Sequence, residues 1–424
     1  MTLLLVLVLI AAALFGLPLF LVLGGLALAL FASQGTSGSA VVIEMTRLAS
    51  SPMLVAIPLF TFAGSLFAEG GAPRRLVSLS RELLGWMPGG LALVALATCA
   101  VFTAFTGASG VTIVAIGGLL FPALVTAGYP ERFSLGLCTT SGSLGILFPP
   151  SLPLILYAYT SSTSVDKLFR ASIAPGLLLV ILLGIFAARR GAASGVKTTG
   201  FRRADALHAL REAAWEIPLP FVVIGGIYSG KLTVTEAASV TAIYALVAEC
   251  LVYRDVSLRR IPAVMRSTMI MVAGILVIVG CAFGLTNYLI DAEIPTKILA
   301  WMQGAFSSKW TFLLALNVFL LVVAALLDVF SALIVVVPLI VPIAKGYGVD
   351  LVHLGIIFLT NLEIGYSLPP TGLNLFIASY RFRRPIPELW RASIPFLLIL
   401  ALALAIVTYV PWLSLVFVGR SGAP

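Results

Sequence analysis

Four short stretches carry the residue types that chemistry inside an apolar environment needs. They are "FTGASGV" (105–111), "GILFPPS" (145–151), "LLDVFS" (326–331) and "GYSLPPTG" (365–372). Each sets Gly, Pro, Ser, Thr or Asp into a run that is otherwise hydrophobic. Proline removes a backbone donor and clashes with the preceding turn, so a helix stops there. In lipid the freed backbone groups survive only when buried in protein or facing a polar cavity. Freed carbonyls and C-terminal half-helix ends suit a cation such as Na⁺, and half-helix N-termini suit an anion. Glycine lets carbonyls turn toward an ion. The hydroxyls of Ser109, Ser151, Ser331 and Thr371 are hard oxygen ligands or substrate donors.

Asp328 is an acid inside a long apolar stretch, where a charge is expensive and functional by default. It reads as a charged group near a cation site, or as an acid bonded to a helix terminus. Asn374 follows the second proline pair and reads as cavity-lining or as a helix cap. Asn361 and Glu363 precede that pair, and His353 has no partner at ligand spacing. Cys99, Cys138, Cys250 and Cys281 lie in apolar segments without metal or disulfide spacing. There is no GxxxxGK[ST] and no nucleophile–base pair, so neither ATP hydrolysis nor other enzymatic chemistry is expected.

The elements that hold these stretches are membrane helices. The chain has 424 residues, 60% hydrophobic and 10% charged, with a mean hydropathy of +1.12. A soluble chain of this length needs far more charge. Apolar runs recur along its whole length, which predicts an all-α polytopic membrane protein. The net charge of +9 gathers in short segments. That pattern marks cytoplasmic loops rather than nucleic-acid binding. These are 70–88 (Arg74, Arg75, Arg81), 189–211, 254–266 and 381–391. Residues 1–32 read as a retained first span, or as two helices hinged near Gly16–Pro18, rather than a signal peptide.

The chain repeats itself. "LFRASIAP" (168–175) matches "LWRASIPF" (389–396), and "FPPS" matches "LPPT". Gly145 and Gly365, Pro122 and Pro342, and Ser151 and Thr371 all stand 220 positions apart. The expected organisation is N-terminal scaffold helices (1–51), then a first repeat (52–188) with a hairpin at 89–127 and a broken helix at 134–160. A basic loop and middle scaffold helices follow (189–266), then a second repeat (267–424) with a hairpin at 311–344, a broken helix at 351–380 and a terminal helix. Basic loops kept in the cytoplasm place the repeats in opposite orientation, with re-entrant hairpins. Inverted repeats with broken helices mark secondary transporters. A passive channel is the rival class, but it would need a continuous polar path rather than opposed breaks.

Two composite stretches resemble a known family. "GASGVTIVAIGGLLFPALVTAGYP" with "SLGILFPPSLPLILYA", and "LIVPIAKGYGVDLVHLGIIF" with "IGYSLPPTGLNLFIAS", are similar to the paired signatures of the large membrane (M) subunit of TRAP (tripartite ATP-independent periplasmic) transporters. The resemblance covers nearly the whole chain. It implies an elevator-type ion-transporter fold in the bacterial inner membrane. It also implies sodium-coupled import of an organic anion of the carboxylate class. The implied partners are a small four-helix membrane subunit and a periplasmic substrate-binding protein, with the lipid bilayer around them and no nucleic acid. No cofactor is implied beyond Na⁺ as coupling ion, and no transition metal. Carried over residue by residue, one sodium site takes Thr106, Gly107, Ser109, Gly145, Phe148 and Pro149. The other takes Asp328, Ser331, Gly365, Leu368, Pro369 and Thr371. Substrate lies between the tips, near Ala108, Ser151 and Asn374. A stand-alone sodium–dicarboxylate symporter would look similar. The first tip carries fewer hydroxyls than is usual in the family.

Overall fold

A computed structural model of the chain describes residues 8, 12, 17–35, 37–87, 89–195, 200–306, 308–370 and 372–418. Residues 1–7, 9–11 and 13–16 of the expected first span, Gly16 included, and Thr371 lie outside these. Among the described residues the protein is all-helical. Eight helices among the described residues are long and apolar enough to cross a membrane, or nine if a pair bent by 47° is counted as one span.

The scaffold opens with α1 (Leu19–Ser33), α2 (Ser39–Ala49), α3 (Pro52–Glu69) and the amphipathic α4 (Ala72–Leu84). The first repeat continues with α5 (Gly90–Thr106), α6 (Ser109–Thr126), α7 (Glu131–Leu147), α8 (Leu152–Ser161) and α9 (Val165–Ala193). The middle section holds α10 (Arg203–Glu212), α11 (Pro218–Tyr228), α12 (Val234–Val252) and α13 (Ile261–Asp291). After α14 (Ile294–Ala305) the second repeat runs α15 (Lys309–Leu326), α16 (Val329–Gly346), α17 (Leu351–Gly365), α18 (Leu373–Phe382) and α19 (Ile386–Tyr409), then α20 (Pro411–Leu415). Helix–break–helix pairs thus stand at α7–α8, around 148–151, and at α17–α18, around 366–372.

Packing is reciprocal. In each repeat the first arm of the hairpin lies on the first half of its own broken helix, α5 on α7 and α15 on α17. The second arm lies on the second half of the other repeat's broken helix, α16 on α8 and α6 on α18. Arg384, after α18, pairs with Glu131 at the start of α7, and Tyr157 of α8 donates to the Leu351 carbonyl at the start of α17 at 2.8 Å. One broken helix therefore begins where the other ends, and the two run antiparallel. His353 is buried between Ser414 Oγ (3.1 Å) and the Thr408 carbonyl (3.3 Å) of the same core, a structural place.

The scaffold forms a second body, with α3 on α12 and α1, α2 and α3 on α13. Its corner into the first repeat is held by charge. Arg75 of α4 reaches Glu216 at 2.5 Å, Glu249 at 2.6 Å, and Asp255. Its guanidinium lies 3.7 Å over the Tyr253 ring. Burial pushes the Tyr253 phenol up to about 12, so it stays a neutral donor to Glu216 Oε2 at 3.1 Å. The loop reading of Arg75 as a topology marker is thus incomplete. Glu249 stands in the apolar run "VAECLV", an acid not singled out from the sequence although its apolar setting marks it. Glu216 and Glu249 are nearly unexposed at their side chains. Arg75→Met strands them without a counter-charge and should cost about 3–5 kcal/mol. Thermal unfolding of the detergent-purified chain checks this.

Candidate functional site

The first tip is a left-handed turn at Gly107 (φ 64°) between α5 and α6. A Cβ there would also stand 2.6 Å from Leu152, the first residue of α8. The first break spans 148–151, after a tight 3₁₀ turn over Ser141–Leu147 closes α7. Gly145 in that turn lies against Ala104 of α5, and Gly365 at the end of α17 lies against Ala324 of α15. Both contacts are too close for a Cβ. The two glycines and the two alanines keep the same spacing of 220 positions, so one approach occurs twice. The Gly145 carbonyl accepts from Phe148 N–H and the Gly365 carbonyl from Leu368 N–H, both at 3.0 Å. Each oxygen keeps a second lone pair. Both proline pairs, Pro149–Pro150 and Pro369–Pro370, are cis.

Thr106, Ser109 and Ser151 are buried. Ser109 Oγ and Ser151 Oγ find no hydrogen-bond partner among the described residues. Phe148 contributes only backbone to this region, because its ring turns away onto Gly176 of α9. Across the tip, Thr103 Oγ1 donates to the Gly142 carbonyl at 2.7 Å and lies 2.6 Å from Thr112 Oγ1. These contacts lock the tip to the break.

At the second tip Asp328 caps α16. Its carboxylate accepts from the N–H of Phe330 at 3.1 Å and of Ser331 at 3.3 Å, and from the Ser331 hydroxyl. Ser331 is buried, whereas Asp328 is exposed. The acid is thus placed as a helix cap at the tip surface, not as a buried charge. Leu368 is half-buried and Pro369 exposed in the second break.

One cavity of about 820 Å³ joins these parts. Gly107, Ala108, Ser109 and Gly110 of the first tip, Phe330 of the second and Tyr366 of the second break line it. Ser65 and Glu69 of α3 and Ser267 of α13 close its scaffold side. Ala108 is therefore on the cavity wall. Ser151 and Asn374 are not among the lining residues. Asn374 is instead drawn inward, its Nδ2 donating to Ser143 Oγ at 3.0 Å. Tyr366 sits inside the "GYSLPPTG" stretch but was not singled out by type. The scaffold serines carry no local signal, because only folding brings α3 and α13 to the tips. A bend of π-helical turns at Ile113–Gly117 adjoins the cavity, and Arg381 Nε donates to the Val114 carbonyl there at 2.9 Å.

Paired tips and breaks on antiparallel broken helices, around one cavity, define a polytopic transporter permease. The family described as "Tripartite ATP-independent periplasmic transporter, DctM component" matches residues 3–413. The C4-dicarboxylate TRAP transporter large permease protein DctM of Pseudomonas aeruginosa is 36% identical over 395 residues, 92% of each chain. The isethionate TRAP transporter permease protein DctMQ of Oleidesulfovibrio alaskensis is 36% identical over 420 residues, 95% of this chain and 65% of that one. The crystal structure of the Alcanivorax borkumensis YdaH transporter shares the fold, with a TM-score of 0.65 and 16% identity over 88% of this chain and 87% of that one. The chain belongs to the tripartite ATP-independent periplasmic transporter family, as a DctM-type large permease. It is a multi-pass protein of the bacterial inner membrane and not an enzyme.

The glycine contacts can be tested directly. Gly145→Ala and Gly365→Ala should each destabilise the protein by about 1–3 kcal/mol through overpacking. Gly274→Ala, mid-helix in α13 where a Cβ meets nothing within 4 Å, should instead stabilise the protein by about 0.5–1 kcal/mol, read by thermal unfolding.

Proposed function

We propose that this permease imports an organic anion of the carboxylate or sulfonate class, driven by sodium ions. A periplasmic binding protein delivers the anion, and a small four-helix membrane subunit completes the complex. The observation that carries the reading is the duplicated tip–break contact, Gly145 on Ala104 and Gly365 on Ala324, beside one shared cavity. The relatives named for C4-dicarboxylates and isethionate supply the substrate class.

In this reading one sodium ion sits at the first tip and break, among Thr106, Gly107, Ser109, Gly145, Phe148 and Pro149. The unpartnered hydroxyl of Ser109 and the second lone pair of the Gly145 carbonyl are its nearest means of ligation. The second ion sits among Asp328, Ser331, Gly365, Leu368, Pro369 and Thr371. Sodium supplies the positive charge that lets an anion enter a cavity whose named lining includes no Lys or Arg. The hairpins α5–α6 and α15–α16 are re-entrant. They travel with the broken helices against α3 and α13 in an elevator movement, and the cavity between the two bodies supports that division.

Proteoliposomes holding this chain and the small subunit test the proposal. With the binding protein and a C4-dicarboxylate or isethionate, uptake should need an inward sodium gradient. Uptake without the binding protein would favour the stand-alone symporter, and uptake indifferent to sodium would remove the coupling. Asp328 is separable from its capping role. Asn caps a helix as well as Asp, whereas Ala costs about 1 kcal/mol. Both Asp328→Asn and Asp328→Ala should weaken sodium binding about tenfold, as loss of one charge-assisted contact does. Full sodium dependence in Asp328→Asn would confine Asp328 to the cap.

A further inference from the structure

Ser143 lies in the turn that closes α7, and Glu363 lies in α17, 220 positions later. That is the spacing that relates the two repeats, so these equivalent positions meet on the axis between them. The Ser143 hydroxyl donates to Glu363 Oε1 at 2.9 Å and accepts from Asn374 Nδ2 at 3.0 Å. Glu363 precedes the second break and Asn374 follows it. One hydroxyl from the first repeat therefore grips both half-helices of the second repeat's break. All three side chains are buried, none more than 1% exposed. Glu363 Oε2 and Asn374 Oδ1 have no hydrogen-bond partner among the described residues. No ion pair joins Glu363 to a Lys, Arg or His there. Ser143 is thus the side-chain partner that both groups depend on.

We propose that Ser143 is a positioning residue for the second tip–break site. Its hydroxyl sets the separation of α17 and α18, and hence the angle at which Gly365, Leu368 and Pro369 meet Asp328 and Ser331. Removing it strands a carboxylate oxygen and an amide in the interior, which the protein relieves by letting the half-helices part. The clamp stands on geometry alone; its effect on ion binding rests on the sodium reading above.

Two measurements on the purified full chain test it. In Ser143→Ala, hydrogen exchange across 366–372 should quicken about fivefold while 148–151 stays unchanged, because the opening is local. Ser143→Cys, a weaker donor of similar size, should fall between and covers the case that the alanine variant misfolds. Sodium titration by calorimetry should show about tenfold weaker binding in Ser143→Ala. That loss should be non-additive with Asp328→Asn and additive with Ser109→Ala, since coupling marks a shared site. Unchanged exchange at 366–372, or equal quickening at both breaks, overturns the clamp. Local quickening with sodium binding untouched upholds the clamp and overturns the sodium assignment of the second site instead.

Discussion

A helix interrupted in an apolar setting must bury the interruption, and everything here depends on how closely that can be done. The glycines at 145 and 365 remove the side chain that would hold the hairpin arms away. Gly365 meets the side chain and backbone of Ala324, and Gly145 meets the backbone of Ala100 and Ala104 and the Thr103 side chain. The broken helices and the hairpin arms therefore share one surface. The cavity then lies where the tips end, between them and α3 and α13.

The two bodies are held by different physics. The repeat core is locked by close packing and by a few buried hydroxyls and amides, each with one or two partners. The scaffold corner is locked by an arginine among three carboxylates and a tyrosine ring. Packing of the first kind tolerates sliding of a whole body, since its contacts are internal. A charge cluster fixes one point in place. In the proposed elevator reading, the core is the body that moves and the scaffold the body that stays.

Much of this was legible in the residues. The apolar runs gave the helices, the spacing of 220 gave the duplication, and the proline pairs marked the breaks to within a residue or two. Asp328 shows where such reading stops short. Its isolation in an apolar stretch left a cation site and a helix terminus open; the carboxylate does cap a helix, but at a surface that the stretch could not show. Glu216, Glu249 and Asp255 meet Arg75 from distant segments, which no local pattern encodes. The same holds for Ser65 and Ser267, whose place on the cavity wall comes from how α3 and α13 pack. Phe148 was read as a site member by position, and only its backbone serves there.

The meeting of Ser143 with Glu363 has a historical consequence. A point on the axis between two copies of one sequence is where a residue faces itself. Two identical copies would have set serine against serine, or buried two glutamates against each other, and the second arrangement repels. Only once the two copies differ in sequence can one side be an acid and the other its hydroxyl partner. The joint between the repeats is therefore a contact that a symmetric ancestor could not have made.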